Sequence, residues 1–252
     1  MNGPAATLSR EASATTSFIA IAPRRLPDPR QARTYYLGRF EAARFSPELF
    51  STLGVSAPPV LARSVVKRQA EFLAGRLCAR AALAPLGQAQ HVVATGAHRE
   101  PLWPAGMCGS LTHAGALAAA IVLPAGQVAG IGIDIETIIG DATRPALSGS
   151  VVSARELACL RASGAPFELN TLLTLVFSAK EAFFKAAFGM VRRYFDFDAL
   201  ELCAFDPVAH RLRFRCTQML CPQLPTGLAV DAYFEELGHS SVFTTVTLPA
   251  PT

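Results

Sequence analysis

Two short segments hold the residues whose types and spacing best suit chemistry. Val128-Ala-Gly-Ile-Gly-Ile-Asp-Ile-Glu136 alternates as a strand does, with Ala129, Ile131, Ile133 and Ile135 on one face and Gly130, Gly132, Asp134 and Glu136 on the other. Asp134 and Glu136 then point the same way over a floor cleared by two glycines. That arrangement suits a hard cation and the approach of something bulky. Phe177-Ser-Ala-Lys-Glu-Ala-Phe-Phe-Lys-Ala186 has helical spacing, and Phe177, Glu181, Phe184 and Phe188 share one stripe. Glu181 is the one carboxylate in that stripe, and a carboxylate on a buried face needs a partner. A cation held by Asp134 and Glu136 supplies one, making Asp134, Glu136 and Glu181 the expected metal ligands. Taken singly, these residues have plainer readings. An isolated Asp-x-Glu is more often the polar side of an edge strand. Glu181 and Lys185 form an ordinary i,i+4 helix pair. It is the combination that points to a site.

The elements that must position these residues are legible around them. Residues 18–22 have strand character and are expected to close at Pro23. The segment Val60 to Leu86 is a helix, strongest from Val65 to Ala84 and stopped by Pro85. A loop from Gly96 to Gly109 precedes one or two strands over Ser110 to Leu123, and Pro124-Ala-Gly126 turns into the Asp134/Glu136 strand. Asp141 to Gly149 is expected as loop. Ser153 with Glu156 three residues on is a capping box for a short helix to Arg161. A second long helix covers Leu169 to Phe188, and strands follow from Leu200 to Leu248. In that last region Leu212, Phe214 and Cys216 alternate with Arg211, Arg213 and Arg215 as a half-exposed ribbon. The helix run Phe72 to Leu83 matches Phe177 to Phe188 at a phenylalanine and three alanines, with Arg80 opposite Lys185. A diverged duplication accounts for the match, and so does the general likeness of alanine-rich helices.

Composition bounds the class. The chain has 252 residues, 51% hydrophobic and 17% charged, so it can bury a sizeable core and is not disordered. A formal charge of +4 fits a local anionic partner better than a nucleic-acid-coating surface. The six cysteines show no CxxC spacing, which fits reduced thiols in a cytoplasm, with Cys78 and Cys159 as core residues. Residues 1–17 lack a basic segment followed by an apolar one and are expected to be a disordered N-terminus without a signal peptide. No apolar run is long enough to span a bilayer. The expectation is a cytoplasmic monomer that binds neither nucleic acid nor membrane.

Gly132-Ile-Asp-Ile-Glu136 and Phe177-Ser-Ala-Lys-Glu-Ala-Phe-Phe-Lys-Ala186 resemble the paired signatures of the 4′-phosphopantetheinyl transferases. Gly109-Ser-Leu-Thr-His113 is similar to that family's Ser-x-Ser/Thr-His element. Arg68-Gln-Ala-Glu-Phe-Leu-Ala-Gly-Arg76 resembles the basic helix of its single-chain, two-half members. Arg193-Tyr-Phe-Asp-Phe-Asp198 is similar to the subgroup typified by the enterobactin synthetase component. The resemblance implies an α+β fold of two similar halves, 18–126 and 127–252, with pseudo-two-fold symmetry and the active site at their interface. It implies Mg2+-dependent transfer of phosphopantetheine from coenzyme A to a serine of an apo acyl or peptidyl carrier domain, releasing adenosine 3′,5′-bisphosphate. Asp134, Glu136 and Glu181 would hold the metal. Glu181 would serve as base, and Lys180 and Lys185 would neutralise phosphate charge. Arg68, Arg76, Ser110, Thr112 and His113 would bind coenzyme A, with His113 near its 3′-phosphate. His98 and Arg99 stand where the family binds the adenine end, but Glu100 puts an acid where a small or basic residue is usual. Two other readings stay open: another metal-dependent transferase acting on coenzyme A or a nucleotide, and a non-catalytic module that binds carrier protein or coenzyme A.

Overall fold

The computed structural model describes residues 17–250, so the stretch 1–17 lies outside the described residues except for Ser17. The protein is α+β and falls into two compact units. One comprises residues 17–25, 34–107 and 111–122, and the other residues 26–33, 108–110 and 123–250.

In the first unit are the strands β1 (Ile19–Arg25), β2 (Thr34–Phe40), β3 (Ala94–Thr95) and β4 (Pro101–Leu102) and most of β5 (Met107–Ala114) and β6 (Leu117–Pro124), whose residues 108–110 and 123–124 count with the second unit. The helices of the first unit are α1 (Glu48–Thr52) and α2 (Val66–Leu83). Four strands form a sheet in the order β1-β2-β6-β5, and β3 and β4 make a separate two-stranded ribbon. Pro23 does not close β1 but sits within it. As an edge strand paired with β2 alone, β1 tolerates a residue that donates no ladder hydrogen bond. Strand β2, which the sequence reading passes over, is interrupted by Gly38. A Cβ there would come within 2.6 Å of Ile19 Cδ1 and 2.7 Å of Cys78 Sγ, so the glycine lets strand and helix α2 close together. The buried face of α2, including Leu73, Leu77 and Cys78, packs with Phe18, Phe40 and Ala118.

The second unit contains β7 (Val128–Thr137), α3 (Arg144–Ser150), α4 (Ala154–Ala162), α5 (Leu169–Val191), β8 (Leu200–Asp206), β9 (Arg211–Cys216), β10 (Ala229–Glu236) and β11 (Ser241–Pro249). Its five strands form one antiparallel sheet, β7-β11-β10-β9-β8. Part of the expected loop from Asp141 to Gly149 is helix α3, begun by Pro145 in its first turn and interrupted at Gly149, whose φ is 109°. Helix α5 runs past Phe188 to Val191 and stops at Arg192 in the left-handed region, φ 52°. Its Leu173, Val176, Ala179 and Phe183 join Phe214, Phe234, Val242 and Val246 of the sheet in one core. Cys159, expected in the core, is only half-buried against it. Among the described residues no helix is long and apolar enough to cross a membrane.

Candidate active site

The glycines of β7 serve the helix rather than a ligand. A Cβ at Gly130 would lie 2.0 Å from the Ala186 carbonyl oxygen, and one at Gly132 would lie 1.8 Å from that of Ala182. Backbone cannot yield to such overlaps, so glycine at both positions allows α5 to lie directly on β7. The expected open floor is therefore occupied by α5, and this brings the two motifs together.

At the contact, Asp134 is 3% exposed, and each of its oxygens is engaged. Lys185 donates from Nζ to Oδ1 at 2.6 Å, and Ser178 donates from Oγ to Oδ2 at 2.8 Å. Lys185 also donates to the Ile133 carbonyl at 3.3 Å. Burial, with the Asp134 charge next in importance, pushes the Glu136 carboxyl up to about 7, Glu181 adding to the rise and Lys185 opposing it. The Glu181 carboxyl is also raised, by burial first, with Lys185 opposing and Asp134 adding. Three mutually repelling carboxylates thus share one ammonium. Among the described residues no three His, Cys, Asp or Glu form a group able to hold a metal ion as they stand. The donor set nonetheless suits one: all ligand atoms are hard oxygens, and their combined charge exceeds what Lys185 offsets.

Beside Glu181 is a pocket of about 250 Å³ lined by Phe183, Phe184, Tyr194, Phe195 and Asp196 among others. Tyr194 stacks on Phe184 with ring centroids 5.7 Å apart, and Phe195 lies 5.0 Å from the same ring. The stripe of Phe177, Glu181, Phe184 and Phe188 is half-buried, and Phe183 is the residue of this group that enters the core.

Lys180 is placed elsewhere than expected. It borders the pocket, but its ammonium meets Glu156 Oε1 at 2.8 Å and the Val151 carbonyl at 2.7 Å. Lys180 and Glu156 are 3% and 2% exposed. Burial lowers the Lys180 ammonium below its usual range, and Glu156 opposes that fall. Its charge is neutralised by Glu156 and is not available to a phosphate in this arrangement. Ser110 is likewise engaged: its buried hydroxyl accepts the Ile133 N–H at 3.0 Å, one residue from Asp134.

The other expected cations lie in the first unit. Arg76 is 8% exposed and held by Thr95 Oγ1 at 2.8 Å, with its guanidinium 4.5 Å from the centre of the Phe72 ring. Burial, then the Arg68 charge, lowers it to about 10. Its buried Nε has no hydrogen-bond partner among the described residues. A buried cation with an unmatched donor is a good receptor for an anion. Arg68 donates from Nη1 to His113 Nε2 in a short contact, and Glu71 Oε2 lies 3.6 Å from both Arg68 Nη1 and His113 Nδ1. A guanidinium can only donate, so Nε2 accepts and the imidazole proton sits on Nδ1, facing Glu71. Thr112 is buried on the same strand. His98 and Arg99 stand exposed on the turn between β3 and β4. There the Glu100 carboxylate folds back over Gly96 and accepts the His98 N–H at 2.8 Å. The unexpected acid thus stabilises the turn.

A family model described as the 4′-phosphopantetheinyl transferase N-terminal domain matches residues 57–123, and one for the 4′-phosphopantetheinyl transferase superfamily matches residues 130–229. The 4′-phosphopantetheinyl transferase Svp of Streptomyces mobaraensis is 36% identical over 200 residues, 76% of each chain. This chain belongs to the 4′-phosphopantetheinyl transferase superfamily. It is also similar to enterobactin synthase component D of Salmonella typhi, 42% identical over 120 residues and 48% of each chain. The 4′-phosphopantetheinyl transferase PptT of Mycobacterium tuberculosis is 38% identical over 143 residues, covering 56% of this chain and 60% of that protein. The chain spans about half the length of the enterobactin synthase component D relatives it matches.

Three residues at this candidate site escape the sequence reading. Ser178 is visible in the second motif but signals no role. Glu156 is visible as a helix cap, yet also accepts the Leu202 N–H at 2.9 Å while pairing with Lys180. Thr244 gives no local signal, because its partner Ser178 lies on a distant element.

Proposed function

We propose that this chain transfers the 4′-phosphopantetheine group of coenzyme A to a serine of apo acyl or peptidyl carrier domains. The observation that carries the reading is the group of Asp134, Glu136 and Glu181 around Lys185, beside an aromatic pocket, in a chain of this superfamily. Asp134, Glu136 and Glu181 would hold Mg2+, which when bound supplies charge neutralisation at a pyrophosphate. Lys185 adds a positive charge at the same place. Glu181, its carboxyl raised, is suited to take the proton as the serine oxygen bonds to the phosphopantetheine phosphorus and adenosine 3′,5′-bisphosphate departs. Lys180, paired with Glu156, holds the pocket wall in place. We further infer that residues 18–126 and 127–252 are two similar halves. The likeness of the α2 and α5 sequences supports this. A monomeric, cytoplasmic enzyme fits the same reading. Incubation with a panel of apo carriers, coenzyme A and Mg2+ tests it, and enterobactin-type peptidyl carriers are a first choice given the likeness to component D.

On this reading Arg76 and His113 grip the nucleotide end of coenzyme A. Arg76→Ala and His113→Ala should each raise the Michaelis constant for coenzyme A by about tenfold or more, leaving that for carrier nearly unchanged. Dephospho-coenzyme A, which lacks the 3′-phosphate, checks the assignment. His113→Ala should discriminate against it less than the wild type does. Equal discrimination would remove His113 from the 3′-phosphate.

Arg192 and Arg193 are exposed just beyond α5, next to Tyr194, which lines the pocket. The family resemblance implies a carrier domain that is acidic around its serine. The double variant Arg192→Glu/Arg193→Glu should therefore slow carrier association by about tenfold at low salt, while coenzyme A binding stays unchanged. Stopped-flow association across ionic strengths measures this, and an unaltered salt dependence would exclude the docking role.

A further inference from the structure

We propose that Ser178 and Thr244 are positioning residues for Asp134, forming a two-hydroxyl relay that makes the site selective for a small octahedral cation. The proposal rests on the Mg2+ reading of the site above. Ser178 has a single hydroxyl hydrogen, and it goes to Asp134 Oδ2 at 2.8 Å. The 2.8 Å contact between Ser178 Oγ and Thr244 Oγ1 must then be donated by Thr244. The chain of donors has one direction, from Thr244 to Ser178 to Asp134. Ser178 and Thr244 are fully buried and Asp134 nearly so, which leaves water no access to substitute for either hydroxyl.

Three elements meet in this relay. Asp134 and Thr244 are direct partners across β7 and β11, and Ser178 comes from α5. Ser178, Glu181 and Lys185 recur at helical spacing, so they face β7 together. A serine is the shortest hydroxyl side chain. It reaches Asp134 because Gly130 and Gly132 let the α5 backbone lie directly on the strand. With Oδ2 held by Ser178 and Oδ1 by Lys185, the carboxylate cannot rotate about its χ2 bond without breaking a buried hydrogen bond. Mg2+ demands near-ideal octahedral geometry and is sensitive to such freedom, whereas Ca2+ accepts longer and more variable contacts. Outer groups that orient a ligand typically change metal affinity by about 10–100-fold when removed.

The test is calorimetric titration of the full-length protein with Mg2+ and with Ca2+, alongside circular dichroism to confirm folding. Ser178→Ala and Thr244→Val, the latter matching threonine in shape, should each weaken Mg2+ binding by about tenfold or more. Ca2+ binding should change by about threefold or less, because its coordination is flexible. Thr244→Ser, which restores the donor without the methyl group, should recover Mg2+ affinity. A purely structural role would weaken both cations equally and would not be rescued in this way. Folded Ser178→Ala and Thr244→Val that bind Mg2+ as the wild type does would overturn the relay while leaving the metal reading intact. A wild-type protein that binds no Mg2+ would overturn both.

Discussion

Asp134→Asn should lower carrier modification by about a thousandfold, the scale expected for removing a preorganised charge at a phosphoryl-transfer site. The amide preserves shape and can still accept from Ser178, so the protein should remain folded. Asp134→Ala is a harsher change, since Asp134 is buried and its loss leaves the Ser178 hydroxyl and the Lys185 ammonium without their partner. The ionisation of Glu136 offers a second check. Its carboxyl is raised to about 7, above its unfolded value, so the folded state binds more protons than the unfolded state between those two values. Stability of the metal-free protein should therefore fall as pH rises from about 4.5 towards 7. Mg2+ should raise the melting temperature most at the upper end of that window, where the carboxylates are ionised. Asp134→Asn turning over carrier at a near-normal rate would remove Asp134 from the metal site.

The second large effect concerns stability. Breaking a buried ion pair by removing one partner typically destabilises a protein by about 3–5 kcal/mol, a large share of the 5–15 kcal/mol that holds a domain folded. Lys180→Met and Glu156→Ala should both show losses on that scale in urea unfolding. Glu156→Ala should be the worse, because Glu156 also accepts the Ser153 and Leu202 backbone N–H groups, joining α4, β8 and α5. The alternative for Lys180 is direct contact with a phosphate of coenzyme A. In that case Lys180→Met would unfold near the wild-type urea concentration and show its defect in kinetics alone.

What the sequence reveals of this site follows the range of the interactions. Alternation along Val128–Glu136 and the spacing of Phe177–Phe188 depend on local periodicity, and strand and helix occur where that periodicity places them. The capping box at Ser153 is equally local, and both of its hydrogen bonds are present. The same Glu156 has a second task that depends on Lys180 and Leu202, far along the chain, and nothing near Glu156 announces it. The glycines of β7 read in the sequence as a cleared floor, and in the fold that floor is taken by the α5 backbone. Their freedom from a side chain is evident in the sequence, whereas the identity of the group that uses the space is not. Lys180 follows the same rule: helical spacing sets it beside Glu181, but rotamer and tertiary partner carry its ammonium to α4. Strand β2 lacked clear alternation because Gly38 and Arg39 interrupt it, and pairing with β1 and β6 supplies what its own pattern does not.

On the proposed reading, the Asp134, Glu136 and Glu181 site moves phosphopantetheine onto a carrier serine. Intact-protein mass spectrometry of an apo peptidyl carrier domain, incubated with this protein, coenzyme A and Mg2+, tests it most directly. The carrier should gain one phosphopantetheine on its serine, adenosine 3′,5′-bisphosphate should appear in equal amount, and a metal chelator should abolish both. An unmodified mass across a panel of acyl and peptidyl carriers, with the protein folded and coenzyme A bound, would contradict it.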